Sequence, residues 1–277
     1  MTGTLYVVAT PIGNLEDITY RAVRVLQEVD LIAVEDTRHS RKLLEHYGVK
    51  TGLVSYHEHN EQERAAQLLE KLQAGQSLAL ISDAGTPCIA DPGYRLVSHC
   101  RQAGINVVAV PGASALVAAL SIAGLPTDSF RFVGFLPAKS HGRRQFLEQL
   151  KDELQTVAFY EGPHRLQACL QDVADICGAG RKISVARELT KRHEELFSGT
   201  VAEAAEYYAA GKVKGELVLL LGPAEKKKPQ GTVKEELARL HAETDLNWKQ
   251  IVKQVARDFG LSGSEVYRQS LELRGKD

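Results

Sequence analysis

Acidic residues directly follow two apolar stretches of the chain and could act as proton acceptors. Glu35 and Asp36 follow the apolar run 31–34, with Arg38 two positions on, and Glu188 follows the run 182–187. A correctly placed carboxylate can take a proton from a weakly nucleophilic hydroxyl group. We therefore predict that these four residues border an acceptor site. Other candidate bases in similar polar runs are His57, Glu58, Glu161 and Lys191.

Simpler structural roles remain open for the same residues. Glu35 and Asp36 could cap the helix that follows them or pair with nearby arginines, and Glu188 could form an ion pair with Arg187 or Lys191. Capping and ion pairing are common roles for acidic residues next to helices.

Three loops containing glycine or proline each lie between a strand-like run and a helical pattern, at residues 10–19, 83–93 and 111–115. Ligands of open α/β sheets gather outside the carboxyl ends of the strands. Glycine lets the backbone approach a ligand closely, and proline fixes the shape of a loop. The loop 83–93 is more elaborate than a connection requires. The loop 10–19 could be a plain turn with Asp17 or Thr19 as helix cap, and 111–115 could serve helix packing.

Three short basic clusters occur at residues 38–42, 139–144 and 191–193, although the whole chain has a formal net charge of -1. Local positive charge is enough to attract the phosphates of a nucleic acid, and a solvated helix face is the alternative explanation. The predicted phosphate contacts are Arg38, Arg41, Arg143, Arg144, Lys191 and Arg192.

Several common catalytic motifs are absent from the sequence. There is no G-x-G-x-x-G after the first strand, no P-loop, no G-x-S-x-G and no H-E-x-x-H, and the four cysteines form no C-x-x-C pair. An ordinary dinucleotide site, a nucleotide-phosphate loop and a metal-dependent reaction are therefore disfavoured. We predict no metal site.

Strand-like runs alternate with amphipathic helical patterns in the first part of the chain, which favours parallel βαβ units. Further on, the runs 182–187 and 195–201 have no helix between them, which indicates an antiparallel pair in a mixed sheet. We predict an α/β fold with an N-terminal α/β domain (1–112), a C-terminal α/β domain (113–223) and a helical, helix-turn-helix-like accessory domain with its linker (224–277).

The accessory domain begins with a linker at 226–231 and continues with helical patterns at 233–241, 247–259 and 264–273. Asn247 or Asp245 could cap the second helix, and Ser262 or Ser264 the third. Readout of DNA bases is disfavoured because no clustered face of arginine, asparagine and glutamine residues is present.

The start of the chain has no charged segment followed by a long apolar stretch, and the longest apolar run, 113–125, is too short to span a bilayer. We expect a soluble cytoplasmic protein with no membrane partner.

Taken together, the loops resemble those of the tetrapyrrole-methylase fold, and more narrowly those of the bacterial ribosomal RNA small-subunit methyltransferase I family. The resemblance covers nearly the whole chain, and the segments that carry it are LYVVATPIGNLEDIT, VEDTRHSRKLL, SYHEHNE, ISDAGTPCIADPG, VPGASALVAAL, FVGFLP, FYEGPHRL, ARELTKRHEE and KGELVLLLGP. The corrin and porphyrin methylases usually carry a G-P-G-D-P-type first loop. The first loop here, Thr10 to Leu15, lacks this pattern, which disfavours a tetrapyrrole substrate.

This resemblance implies 2′-O-methylation of a cytidine ribose in 16S ribosomal RNA, with S-adenosylmethionine as the methyl donor. It also implies two α/β domains with the cofactor in the cleft between them, and a homodimer. The expected partner is small-subunit ribosomal RNA in the assembled 30S particle, with naked RNA as the alternative. The implied cofactor contacts are Pro11, Asp83, Gly85, Ile89, Ala90, Ser114, Ala115, Tyr160, Ala186, Glu216 and Leu217. A small-molecule tetrapyrrole methylase and a non-enzymatic RNA-binding protein are the alternatives.

Overall fold

The computed structural model describes residues 2–225, 231–244 and 246–274. The chain divides into two compact units, the first ending at Pro223 and the second beginning at Ala224. The predicted linker residues 226–230 and the possible cap Asp245 lie outside the described residues.

The first sheet of the first unit contains five parallel strands. They are β1 (Thr4–Val8), β2 (Leu31–Val34), β3 (Leu53–Ser55), β4 (Leu78–Ile81) and β5 (Asn106–Val110), in the spatial order β3-β2-β4-β1-β5. All four pairings are parallel. The predicted parallel βαβ organisation is confirmed, and the carboxyl ends of all five strands lie at one edge of the sheet.

Helices cover both faces of this sheet. They are α1 (Tyr20–Glu28), α2 (Thr37–His46), α3 (Glu61–Gln73) and α4 (Tyr94–Gln102), and a short 3₁₀ turn at Leu15–Asp17 precedes α1. Apolar side chains of α1 and α2 form one buried layer with the sheet, and those of α3 and α4 form the other. Thr19 caps α1 through a hydrogen bond from the Ala22 amide, as one of the two predicted alternatives.

The second sheet is mixed. Its strands are β6 (Phe130–Phe135), β7 (Thr156–Glu161), β8 (Lys182–Arg187), β9 (Glu195–Thr200) and β10 (Leu217–Leu221), in the order β6-β7-β10-β8-β9. β6 and β7 are parallel, whereas the other pairs are antiparallel. The predicted antiparallel pair is therefore confirmed as β8 and β9.

Four further helices complete the first unit: α5 (Ala115–Ile122), α6 (Ser140–Glu148), α7 (Leu166–Val173), which continues into a π turn at Ala174–Gly178, and α8 (Val201–Ala209). α6, α7 and α8 bury apolar side chains on one face of the second sheet, and α5 covers the other face. α5 begins at Ala115, because Ser114 is still extended, with φ of -149°.

The second unit contains three helices: α9 (Val233–Glu243), α10 (Trp248–Phe259) and α11 (Gly263–Arg274). Asn247 caps α10 and accepts a hydrogen bond from the Gln250 amide, so this predicted cap is confirmed. Gly260 ends α10 with a left-handed φ of 67°. The buried side chains of the three helices form their own apolar cluster.

Within the described part of the chain, no helix is both long enough and apolar enough to cross a membrane.

Candidate active site

A cavity of about 340 Å³ lies in the first unit, where loops from both sheets meet. Its walls come from segments that follow β1, β2, β4 and β5, and from β6, β7, β8 and β10 with their adjoining loops. Nine of the predicted cofactor contacts line it: Asp83, Gly85, Ile89, Ser114, Ala115, Tyr160, Ala186, Glu216 and Leu217. Their role in cofactor binding stays a prediction. Further lining residues are Ile12, Glu35, Ala84, Thr86, Asp91, Phe135, Glu161, Gly162, Pro163, Leu189 and Val218.

Pro11 and Ala90 are the two predicted cofactor contacts that do not line the cavity. Pro11 is buried beside Thr10, whereas Ala90 is exposed on the loop after β4. Each lies next to a lining residue, Ile12 or Ile89. Both loops thus reach the cavity through the neighbouring residue, and cofactor contacts at Pro11 and Ala90 stay a prediction.

The loop after β1 is joined directly to the loop after β4. The Thr10 amide donates to the Gly85 carbonyl at 2.9 Å, and the Gly85 amide donates to the Thr10 carbonyl at 3.1 Å. The buried Thr10 hydroxyl donates to the Ser82 carbonyl at 3.1 Å. These bonds satisfy backbone groups that would otherwise be buried without partners and hold two cavity walls in register.

The loop after β4 contains backbone conformations that L-residues rarely adopt. Cys88 and Ala90 have φ angles of 68° and 66°. A Cβ on Gly93 would lie 2.5 Å from the Cys88 sulfur and 2.8 Å from a Leu80 methyl carbon, so only glycine fits at the end of the loop. Such strain, about 1–3 kcal/mol for each residue, persists where the surrounding structure fixes the loop shape and is concentrated at functional sites.

Five acidic residues line the cavity: Glu35, Asp83, Asp91, Glu161 and Glu216. Burial raises the pKa of Glu35, and the negative charges of Asp91 and Asp83 raise it further. Burial also raises the pKa of Asp91, although a hydrogen bond with Ser82 opposes the shift. Glu35 is thus a stronger proton acceptor than an exposed glutamate, which fits its predicted place beside an acceptor.

Asp36 and Arg38 do not line the cavity. Asp36 is exposed and caps α2, and it accepts a hydrogen bond of 2.7 Å from the Arg38 amide. That hydrogen bond is the main reason why the pKa of Asp36 is lowered. A lowered pKa makes a carboxylate a weaker base, so the capping alternative explains Asp36 better than a catalytic role does.

Glu188, Lys191 and Glu216 form one ion-pair group beside the cavity. The Lys191 ammonium lies 2.8 Å from Glu188 Oε1 and 2.9 Å from Glu216 Oε2, and the Glu216 amide donates to Glu188 Oε1 at 3.0 Å. Burial opposes ionisation of Glu188, but the hydrogen bonds from Lys191 and the Glu216 amide outweigh it and lower its pKa. Of the three, Glu216 lines the cavity. The ion-pair alternative therefore accounts for Glu188, and Lys191 is engaged by two carboxylates rather than presented to a phosphate.

One of the predicted phosphate contacts, Arg143, is buried in the structure. Its side chain is 3% exposed and lies 2.6 Å from Asp172, which also binds Ser140 and Arg144. A buried guanidinium with this partner is not available to RNA, so the prediction for Arg143 is wrong. Arg144 is partly exposed and pairs with Asp172 and Asp175.

The remaining predicted phosphate contacts, Arg38, Arg41 and Arg192, are exposed. Among the described residues, none of the three has a carboxylate within ion-pair distance. Arg38 and Arg41 lie on α2, which begins two residues after Glu35. Positive charge is thus available close to the chain segment that supplies an acidic cavity wall.

The residues described by the structure contain no group of three or more histidine, cysteine or acidic side chains that could hold a metal ion. Sequence reasoning missed Asp91 and Phe135 as cavity residues. Asp91 lies inside the loop 83–93, so its position in that loop is the signal that the sequence offers. Phe135 lies in the segment FVGFLP, which carries part of the resemblance, but its apolar pattern does not show that the ring faces a cavity.

Comparisons with known proteins identify the same family as the loop motifs do. Residues 4–205 match the family model of the Tetrapyrrole (Corrin/Porphyrin) Methylases. The chain is 48% identical to a ribosomal RNA small subunit methyltransferase I from Synechocystis sp., over 98% of both chains. It is 46% identical to the protein of the same name from Pseudomonas aeruginosa, over 99% of both chains.

Among solved structures, a uroporphyrin-III C-methyltransferase from Thermus thermophilus, complexed with S-adenyl homocysteine, is similar with a TM-score of 0.56 and 20% identity. The similarity covers 79% of this chain and 97% of that one. A diphthine synthase is similar with a TM-score of 0.59 and 13% identity over 79% of this chain and 90% of that one. At these identities the likeness shows the fold.

Proposed function

The chain belongs to the ribosomal RNA small subunit methyltransferase I family of the tetrapyrrole methylases, and from this premise we propose that it transfers a methyl group from S-adenosylmethionine to small-subunit (16S) ribosomal RNA. The observation that carries the proposal is the full-length similarity to relatives of that name. The cavity supports it, because segments that carry the resemblance, such as ISDAGTPCIADPG and FYEGPHRL, contribute to its walls.

The cavity suits the cofactor in size and chemistry. Its volume of about 340 Å³ lies in the range of small-molecule sites. The carboxylates of Asp83 and Asp91 complement a cationic ligand, and amide groups at the start of α5 favour a carboxylate. Apolar side chains of Ile12, Leu189 and Val218 offer surface for a flat ring. S-adenosylmethionine combines these features in one molecule.

When bound, S-adenosylmethionine supplies an electrophilic methyl group that is already activated. The residues of the chain then need to position an acceptor in line with that group and to exclude water. The paired loops at Thr10 and Gly85 fix two walls of the cavity, and the strained loop after β4 fixes another. This rigidity limits the reorganisation that transfer requires.

The finer proposal is that the acceptor is the ribose 2′-hydroxyl of a cytidine and that Glu35 removes its proton. A ribose hydroxyl is a weak nucleophile at neutral pH and gains from a general base. Glu35 is the member of the predicted catalytic set that lines the cavity, and its raised pKa suits this role.

Arg38 and Arg41 on α2, together with Arg192, are proposed to bind RNA phosphates near the acceptor. Each phosphate contact that is lost should reduce the slope of log affinity against log salt by about one. Replacing Arg38 and Arg41 by glutamine should weaken RNA binding and flatten its salt dependence. An unchanged slope would contradict the assignment.

We also propose a cytoplasmic homodimer that acts on the assembled 30S particle. Val117 and Ile122 on α5 are 60% and 45% exposed, and exposed apolar side chains on one helix favour contact with a second copy. Light scattering on the purified protein tests the dimer, and a monomeric mass would contradict it.

The experiment that tests the function offers small ribosomal subunits, naked ribosomal RNA and a porphyrinogen in parallel with labelled S-adenosylmethionine. Label in an RNA sample, with one linkage made resistant to alkali, is the expected result and identifies ribose methylation. Label in the RNA without that resistance would leave RNA methylation intact and overturn the 2′-hydroxyl. Label confined to the porphyrinogen would overturn the RNA substrate.

A further inference from the structure

Phe135 is an aromatic residue that lines the cavity yet is 58% exposed. Burial of its ring therefore does not explain its position, because an apolar side chain stabilises the fold mainly by leaving water. Tyr160, which also lines the cavity, is only partly exposed. Phe135 thus lies at the solvent end of the cavity wall.

A β-bulge directs this ring to the cavity side. Phe132 pairs with Ala158 on β7, and Phe135 pairs with Tyr160, so three steps along β6 correspond to two along β7. Residues three apart in a regular strand point to opposite faces, and the extra residue returns Phe135 to the face of Phe132. Gly134, with φ of 65°, allows the irregularity.

Both phenylalanine rings then contact Tyr160 edge to face. The ring centroids lie 5.0 Å apart for Phe132 and Tyr160, and 5.5 Å apart for Phe135 and Tyr160. Edge-to-face packing holds the Phe135 ring at one side and leaves other ring surface free, in agreement with its exposure. The ring is therefore both presented to solvent and held in place.

The bulge on β6 of the second sheet lies close to the loop after β4 of the first sheet. A Cβ on Gly134 would lie 3.9 Å from the Cβ of Ala90, in the loop after β4. Ile89 in that loop lines the same cavity and is 41% exposed. The solvent end of the cavity thus has apolar surface from Phe135 in the second sheet and from Ile89 in a loop of the first sheet.

Building on the proposed RNA methylation, we propose that Phe135 is the stacking surface for the base of the acceptor nucleotide. A nucleotide must leave its neighbours before its ribose can reach a donor in a cavity, and enzymes replace the lost stacking with aromatic or apolar side chains. The acceptor arrives from solvent, so its base contacts the exposed ring, while the cofactor occupies the deeper part of the cavity. Because every base has a flat face, Phe135 supplies affinity and orientation, not base identity.

The test uses the full chain with F135A, F135L and F135Y, and with F130A as matched control. Phe130 is on the same strand and is 43% exposed, but it does not line the cavity. F135A should raise the KM for small ribosomal subunits about 5- to 140-fold, with S-adenosylmethionine affinity unchanged. F135Y should restore the wild-type KM, F135L should not, and F130A should match wild type.

Three results would overturn the stacking role: an unchanged KM in F135A, a loss of S-adenosylmethionine affinity, or a change of oligomeric state. The second would assign the ring to the cofactor and the third to a protein partner. Thermal melting checks that the variants fold, and exposure of the ring makes a large loss of stability unexpected. Failure of wild type to methylate any ribosomal RNA sample contradicts the proposed function itself, whereas active wild type with a normal F135A contradicts stacking alone.

Discussion

Neighbouring residues of the same chemical type have different roles in this molecule. Glu35 and Asp36 are consecutive carboxylates, yet burial beside Asp91 and Asp83 raises the pKa of Glu35, while the Arg38 amide lowers that of Asp36. One carboxylate lines a cavity and is the proposed proton acceptor, and the other caps a helix. Local environment, rather than residue type, separates them.

Replacing Glu35 by glutamine tests the proposed base. In wild type, kcat should rise with pH as Glu35 loses its proton, at a pH above that of an ordinary glutamate because its pKa is raised by burial. The variant should lose this limb and about 10²–10⁴-fold in kcat. Measurement of kcat against pH decides the matter, with E45Q, an exposed site on α2, as control. If kcat of E35Q still rose with pH in the same range, a group other than Glu35 would be the general base.

The same substitution should affect stability in the opposite direction. A carboxyl group whose folded pKa is raised stabilises the fold below its unfolded pKa, and this contribution is lost as pH rises through the folded pKa. At neutral pH the ionised Glu35 is therefore unfavourable in the folded protein. The Tm of E35Q at pH 7 should equal or exceed that of wild type without ligand, and a lower Tm would contradict the raised pKa.

Gly215 supports the ion-pair group of Glu188, Lys191 and Glu216. A Cβ at this position would lie 2.2–2.4 Å from Glu188 side-chain atoms, and the φ angle of 90° disfavours any L-residue. G215A should reduce the free energy of unfolding by about 1–3 kcal/mol. G211A is the matched control because a Cβ there meets no atom within 4 Å. Urea unfolding of both variants provides the comparison. Equal free energies of unfolding would show that the side chain of Glu188 moves aside for the new methyl group without loss of stability.

At the scale of the elements, strands and helices determine which side chains can meet. Arg143 and Arg144 are consecutive residues of α6, and successive helix positions point in different directions. Arg143 therefore faces α7 and is buried against Asp172, whereas Arg144 remains partly in solvent. The cluster joins two helices over the second sheet and has a structural role.

Asp172 on α7 binds both arginines of α6 and so links the two helices. D172A would leave the Arg143 guanidinium buried without its carboxylate and should cost about 3–5 kcal/mol. D175A removes a partly exposed partner of Arg144 and should cost less than about 1 kcal/mol. Denaturant unfolding of the two variants measures the contrast. Similar losses would mean that burial does not set the strength of the network.

The ionisation of Asp172 should also make the free energy of unfolding depend on pH. Burial raises its pKa, but hydrogen bonds from Arg144, Arg143 and Ser140 outweigh that effect and hold the pKa below the ordinary value. Its contribution to stability is present above the unfolded pKa and is lost as pH falls through the folded pKa. Wild type should therefore lose stability on acidification through this range more steeply than D172A.

At the scale of the whole molecule, the two units have separate apolar cores. The clusters of the first unit contain described residues up to Leu221, and that of the second runs from Val233 to Leu273. The first unit contains both sheets and every residue that lines the cavity. The predicted division of that unit at residue 112 stays a prediction.

A chain truncated after Pro223 should fold and should bind S-adenosylmethionine with the affinity of the full chain, because it retains all cavity walls. Calorimetric titration of the two forms measures this. Loss of cofactor binding in a folded truncated chain would contradict the site proposed here. A weaker interaction with small ribosomal subunits, with cofactor binding intact, would assign the second unit to substrate docking.

The sequence by itself determined the features that depend on local pattern. Apolar runs gave the strands, and glycine and proline placed the loops at their ends. Because parallel strands carry their carboxyl ends to one edge, the loops after β1, β4 and β5 could be expected to share a site. Family resemblance added the fold, which the comparisons bear out, and the cofactor class, which membership of a methyltransferase family supports.

The tertiary structure alone decided which side chains in those loops and helices face one another. Asp172 meets Arg143 across 29 positions of sequence, and Lys191 meets Glu216 across 25. The bulge that turns Phe135 to the cavity depends on its register with β7. Burial and pairing of charges arise from packing between distant segments, and a local pattern carries no information about which distant segment will be its neighbour.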